Sequence, residues 1–151
     1  MRNKQKGFSL IELLIVVAII LIIAAIAIPN LLRSKIAANQ ASAVASLRTL
    51  NTSSALFYTN YNVYPTSITN MGTAASVTST SADLIDSVLA TGTKSGYTFV
   101  WAAGGTTGGY TITAIPVSAS TGTVNYFTDQ SLVIRSNATG VANVNSLPIG
   151  N

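Results

Sequence analysis

One stretch constrains this chain more than any other: FSLIELLIVVAIILIIAAIAIP, Phe8 to Pro29, which holds a single charge, Glu12, and meets no other until Arg33. As a helix it is long enough to cross a hydrocarbon core of about 30 Å. Arg2, Lys4 and Lys6 precede it, a basic flank that predicts a cytoplasmic N-terminus. A secretory signal peptide is the rival reading, with AIA at Ala25 to Ala27 as its cleavage site. Such peptides have an apolar region of only about 7 to 15 residues, whereas Leu13 to Ile28 is uncharged throughout. A plain membrane anchor explains the length but not the acid.

A carboxylate at that depth costs about 2.5 to 3.5 kcal/mol on insertion scales, and an intramembrane ionisable group calls for a named partner. A cut after Gly7 would make Phe8 the N-terminus and place a free ammonium four residues before Glu12. That amine, on a neighbouring copy, is the natural counter-charge, because a buried carboxylate paired with a buried cation escapes much of the penalty either suffers alone. Gly7 has no side chain to keep a protease from the backbone.

The segment KGFSLIELLIVVAIILIIAAIAIPNL resembles the leader and N-terminal helix of type IV pilins and of their relatives, the pseudopilins of type II secretion. The resemblance implies that a membrane prepilin peptidase cuts after Gly7 and methylates the Phe8 amine. It also implies that Glu12 serves assembly. Many members carry Gly where this chain has Leu21, a change that stiffens the helix locally. Pro29 has two readings, as the end or kink of a membrane helix and, by the resemblance, as a break that lets the helix bend in a filament.

Beyond Pro29 the helical period continues. Leu32, Ile36, Val44, Leu47, Leu50 and Phe57 recur at spacings of three, four or their sums, a stripe suited to a domain core. One helix from Phe8 to about Tyr58 would be about 75 Å long, bare in its first half and covered in its second. Pro65 ends helix before Tyr64, and Gly72 with the Ser/Thr run that follows reads as loop. SADLIDSVLA, Ser81 to Ala90, reads as a short helix with Asp83 and Asp86 in its opening turn.

The period then becomes two. Tyr97, Phe99 and Trp101 alternate on one face, and Tyr110, Ile112 and Ala114 follow a Gly-rich turn, which predicts a hairpin. VNYFTDQSLVIRSN predicts a second hairpin, turning at Asp129 to Ser131. It resembles a C-terminal hairpin of some bacterial pilin-like proteins, Asp-x-Ser-Gly-x-Ile-Arg, with Leu132 at the Gly position. Three or four antiparallel strands packed on the second half of the helix give an α+β fold. The expected organisation is a leader over 1–7, a membrane or filament-core helix over 8–29, and an amphipathic helix plus β head over 30–151.

Composition excludes several activities. The chain has no Cys and no His, so no disulfide frames it and no thiol or imidazole does chemistry. Its only acids outside the apolar run are Asp83, Asp86 and Asp129, too few for an enzyme's usual acid–base pairs. No catalytic residue, cofactor or metal is expected, although calcium occurs in the pseudopilin relatives and a site for it would have to be built from these three acids plus backbone carbonyls. Charged residues make up 8% of the chain, against about 25% in ordinary soluble domains. Without the three leader cations five basic side chains face four acidic ones, scattered rather than clustered, so specific nucleic-acid binding is not expected. Asn51 and Asn137 sit in Asn-x-Ser/Thr patterns that chance suffices to produce in such a composition.

Three functions remain. The favoured one is a pilin, a subunit of a type IV pilus-like filament whose partners are other copies of itself, prepilin peptidase, an inner-membrane assembly machine and, before assembly, lipid. As a pseudopilin of type II secretion it would act in the periplasm rather than at the cell surface. The third is a membrane-anchored binding module that never polymerises, which would need neither Glu12 nor the cleavage motif. The absent Cys pair is unusual for many pilins and common among pseudopilins.

Overall fold

The computed structural model describes residues 7–104 and 108–150; the basic leader residues 1–6 and the tip of the predicted Gly-rich turn, 105–107, lie outside them. Two units are distinguished, Met1–Lys35 and Ile36–Asn151. Helix α1, Leu10–Tyr61, supplies most of the first and opens the second. It starts two residues later and ends about three later than the period predicts. Asn62 stops it by turning left-handed, with φ 56°, a conformation Asn tolerates at helix ends.

In the first unit the large apolar side chains from Leu10 to Leu31 are exposed, and the helix is long and apolar enough to cross a membrane. The 18 residues of its most apolar window are all unburied. In the second unit, one face of α1 is covered by the sheet. Leu47, Leu50 and Phe57 are buried as the stripe predicts, Ile36 and Val44 are half-buried, and Leu32, 42% exposed, does not belong to the core. The same face buries Ala43, Ser46, Asn51, Ser53 and Ser54. These small residues let the helix approach the sheet closely, and a reading by hydropathy passes over them.

The sheet has six strands, not three or four, and all pairings are antiparallel between chain neighbours. They are β1 (Thr93–Lys94), β2 (Tyr97–Ala103), β3 (Tyr110–Pro116), β4 (Asn125–Asp129), β5 (Arg135–Asn137) and β6 (Leu147–Pro148). Strands β2 and β3 form the predicted hairpin, with Phe99 opposite Ala114, Trp101 opposite Ile112 and Ala103 opposite Tyr110. Tyr97, Phe99, Tyr110, Ile112 and Ala114 are buried toward α1, as alternation requires. Trp101 stacks on Tyr110 with centroids 4.7 Å apart. Tyr97 donates its hydroxyl to the Val124 carbonyl at 2.9 Å, and its ring fills the space a Cβ at Gly122 would need. The second hairpin pairs β4 with β5, placing Phe127 opposite Arg135. Strands β1, β5 and β6 are too short to show an alternating pattern.

The helix predicted over Ser81 to Ala90 shrinks to α2, Ser87–Ala90. Its first half is diverted by the 3-10 turn Ile68–Met71. Ala82 donates its N–H to the Asn70 carbonyl, Asp83 to Gly72, and Leu84 and Ile85 both to Met71, so these donors are used in tertiary pairing instead of a helical ladder. Asp83 takes φ 52° and lies outside any helix. Asp86 becomes the N-cap, accepting the Leu89 N–H at 2.9 Å.

Candidate functional site

The residues singled out in the sequence gather at the start of α1. Gly7 lies before the helix, outside regular secondary structure; a Cβ built there meets nothing within 4 Å, and its φ is not one reserved for glycine. Nothing in the fold therefore asks for a glycine at this position. Phe8 is 77% exposed. Ser9 precedes the first helical residue, Leu10, and Glu12 is the third residue of the helix.

Glu12 is not idle within its own chain. Its Oε2 accepts the backbone N–H of Ser9 at 2.9 Å. This is the carboxylate half of a capping box, in which Ser-x-x-Glu satisfies one of the four N–H groups every helix leaves unpaired at its start. In hydrocarbon, where water cannot replace that acceptor, the contact gains importance. An acid in the first turn also complements the helix dipole. Sequence reasoning missed this second role, although the spacing SLIE, Ser9 to Glu12, carries its signature.

The helix does not end at Pro29 but passes through it. Proline removes the N–H that would bond the carbonyl of residue 25. Directly after it, Asn30 Nδ2 donates to the Ile26 carbonyl at 3.2 Å, and Ser34 Oγ to the Asn30 carbonyl at 3.0 Å. These side chains supply extra donors where the backbone ladder is interrupted.

The other candidates have structural partners. Among the described residues no group of three or more His, Cys, Asp or Glu is close enough to hold a metal. Asp86 bonds Leu89 and pairs with Lys94 Nζ at 3.0 Å; the Leu89 N–H first, then Lys94, hold its carboxyl below the usual range. Asp129 Oδ1 accepts the Ser131 N–H at 2.9 Å in the β4–β5 turn. Asn51 is buried at the centre of a polar cluster: its Nδ2 donates to Thr128 Oγ1 at 2.9 Å and to the Leu132 carbonyl at 3.3 Å, and its Oδ1 accepts from the Tyr110 hydroxyl at 3.2 Å. That amide is not available for glycosylation in the folded head. Asn137 is half-buried, and its Oδ1 accepts the Thr139 N–H at 2.9 Å.

Set beside known proteins, residues 2–28 match the family model described as the prokaryotic N-terminal methylation motif. The chain is 40% identical over 76 residues to type II secretion system core protein G of Vibrio cholerae, covering 50% of this chain and 51% of that protein. It is 44% identical over 61 residues to the type IV major pilin protein PilA of Myxococcus xanthus, covering 40% and 28%. It is 60% identical over 47 residues to the type IV wide pilus major component PilA4 of Thermus thermophilus, covering 31% and 35%. These matches span about half the length of the relatives or less, and no solved structure matches the chain. A long apolar N-terminal helix, an antiparallel six-stranded sheet and this motif at the start of the chain are consistent with the pilin fold. The motif and these relatives make the N-terminal part of the chain similar to type IV pilins and type II secretion pseudopilins.

Proposed function

We propose that this chain is the structural subunit of a type IV pilus-like filament, not an enzyme. The observation that carries this reading is α1 itself: a helix whose apolar side chains from Leu10 to Leu31 are exposed, headed by one carboxylate and preceded by a glycine the fold does not require. Such a surface needs a hydrocarbon environment or other helices around it. Lipid serves before assembly and copies of the same helix serve afterwards.

In this reading the precursor lies in the inner membrane with its basic leader in the cytoplasm. Prepilin peptidase cuts after Gly7 and methylates the Phe8 amine, and an inner-membrane machine extracts the subunit into the fibre. Glu12 then meets the Phe8 amine of a neighbouring copy, and Pro29 gives the packed helix its local freedom to bend. The similarity to core protein G supports a second reading, a periplasmic pseudopilin of type II secretion.

Mass spectrometry of protein purified from its membrane tests the processing step. The expected mature chain begins at Phe8, carries one added methyl group and has 144 residues, the full 151 less the first seven. An N-terminus at Ile28 would instead mark an ordinary secreted protein. Replacing Gly7 by a bulky residue is expected to leave uncut precursor without altering the fold, since a side chain there has open space. Electron micrographs of a deletion strain, scored for surface fibres and for secreted enzymes, separate pilus from pseudopilus.

A further inference from the structure

The head, Ile36–Asn151, has only six charged side chains: Arg48, Lys94, Arg135, Asp83, Asp86 and Asp129. Four are engaged inside the chain. Lys94 pairs with Asp86, Arg135 Nη1 donates to the Ser146 carbonyl at 3.0 Å, and Asp129 holds its turn. Arg48 and Asp83 are exposed and, among the described residues, their side chains have no hydrogen bond or ion pair. On a surface that otherwise carries uncharged polar side chains and scattered apolar ones such as Val77, Val141 and Leu147, the two unengaged charges are of opposite sign.

Their placement follows from α1. Asn51 bonds the Leu132 carbonyl on one side of the helix, and Ser53 Oγ bonds the Leu84 carbonyl at 3.1 Å on the other. The two positions are about 200° apart at 3.6 residues per turn. Arg48, one turn before Asn51, shares its side and lines a groove with Leu132, Val133, Ile134, Pro148 and Ile149. Asp83 adjoins Leu84 and so belongs to the opposite flank. The Arg48 flank also breaks a local rule: Leu132 takes φ 64° with its side chain 50% exposed, whereas the φ of 52° at Asp83 is one that aspartate tolerates. Left-handed backbone disfavours a side chain such as leucine. At Leu132 it displays an apolar group to solvent beside the unengaged Arg48, and backbone strain clusters at functional positions.

We propose that the Arg48 flank of one head docks on the Asp83 flank of the next copy, Arg48 meeting Asp83 while Leu132 and Val133 cover the pair from water. This inference rests on the filament-subunit reading. Two different patches that complement each other form a heterologous contact, which repeats into an open helical array instead of closing into a dimer. Helix packing supplies the adhesion in this arrangement, and the charge pair fixes the register between heads.

The test uses the full chain expressed with its assembly system. Arg48→Asp and Asp83→Arg are each expected to lower the yield of sheared filaments several-fold, and the double exchange to restore it. The chain has no Cys, so Arg48→Cys combined with Asp83→Cys reports proximity without background. Treated with a short bis-maleimide, filaments of the double variant should give a ladder of covalent multimers, and neither single variant should. Normal filaments that yield only monomers would overturn the docking while leaving the filament reading intact. Dimers from a single-cysteine variant would also overturn it, since they show like patches meeting. A wild-type chain that makes no filaments in the same system removes the reading beneath both.

Discussion

Glu12 now has two tasks at one atom pair's remove from each other: it caps its own helix through the Ser9 N–H, and the proposed assembly asks it to meet a neighbour's ammonium. Substitutions separate the two. Gln at the third helical position still accepts the Ser9 N–H but carries no charge, whereas Ala loses both. Glu12→Ala should insert at least as readily as wild type, because it avoids the insertion penalty, and should leave processed subunit in the membrane with no sheared filaments. An unpaired ammonium in the fibre core costs about 3 to 5 kcal/mol. Glu12→Gln should keep the helix start ordered, read as protection of the Ser9 amide in micelles, and recover only a small part of the filament yield. Full recovery by Gln would assign the acid to capping alone. Leu132 offers a second dissection at this scale. Leu132→Gly relieves the left-handed strain and is expected to raise head stability by about 1 kcal/mol, read as a higher midpoint of thermal unfolding. Filament yield should fall in the same variant, since the apolar cover beside Arg48 is removed.

At the scale of elements, the join between α1 and the sheet is part oil and part hydrogen bond. Leu47, Leu50 and Phe57 supply the apolar contact, while Asn51 ties the helix to β3, β4 and the turn that follows through Tyr110, Thr128 and the Leu132 carbonyl. Asn51→Ala should destabilise the head by about 1 to 3 kcal/mol, because the Tyr110 and Thr128 hydroxyls lose their buried partner. Chemical denaturation of the detergent-solubilised chain measures it, and a change under 0.5 kcal/mol would mean water takes the vacated place. The two long strands were legible because tyrosine, phenylalanine and isoleucine alternate there. The helix expected over Ser81 to Ala90 was not, because its fate depends on carbonyls of residues 70–72 that no local pattern reveals. The structural role of Asn51 was hidden for the same reason: its neighbours in sequence match a glycosylation pattern that chance suffices to produce and say nothing of Thr128.

For the whole head, alkali is an informative stress. Burial pushes the Tyr97 and Tyr110 hydroxyls up to about 12, against an ordinary value of about 10. The folded state thus favours the protonated phenols. Below pH 10 both states keep these protons and stability is unaffected by them; above it the unfolded chain ionises first, and stability falls until the folded phenols ionise near 12. Thermal melts followed by circular dichroism should therefore show the unfolding midpoint falling between pH 10 and 12. Absorbance that rises fully at pH 10 in a still-folded head would show the phenols reached by solvent. What sequence alone conveyed at this scale was the division of labour between an apolar helix and an α+β head. The placement of Arg48 and Asp83 on opposite flanks required the tertiary contacts of Asn51 and Ser53.

The sheet begins with β1 and ends with β6, each two residues long, the first holding Lys94 and the second Pro148. An outermost strand with free N–H and C=O groups is a template for adding another chain, and shortness, lysine and proline are the means by which proteins blunt that template. In the proposed function, a subunit crowded with its own copies, in a membrane and then in a fibre, faces amyloid-like stacking as a constant hazard. Blunted at both margins, this sheet resists growing sideways by backbone pairing, which leaves the proposed polymer to helices and side chains.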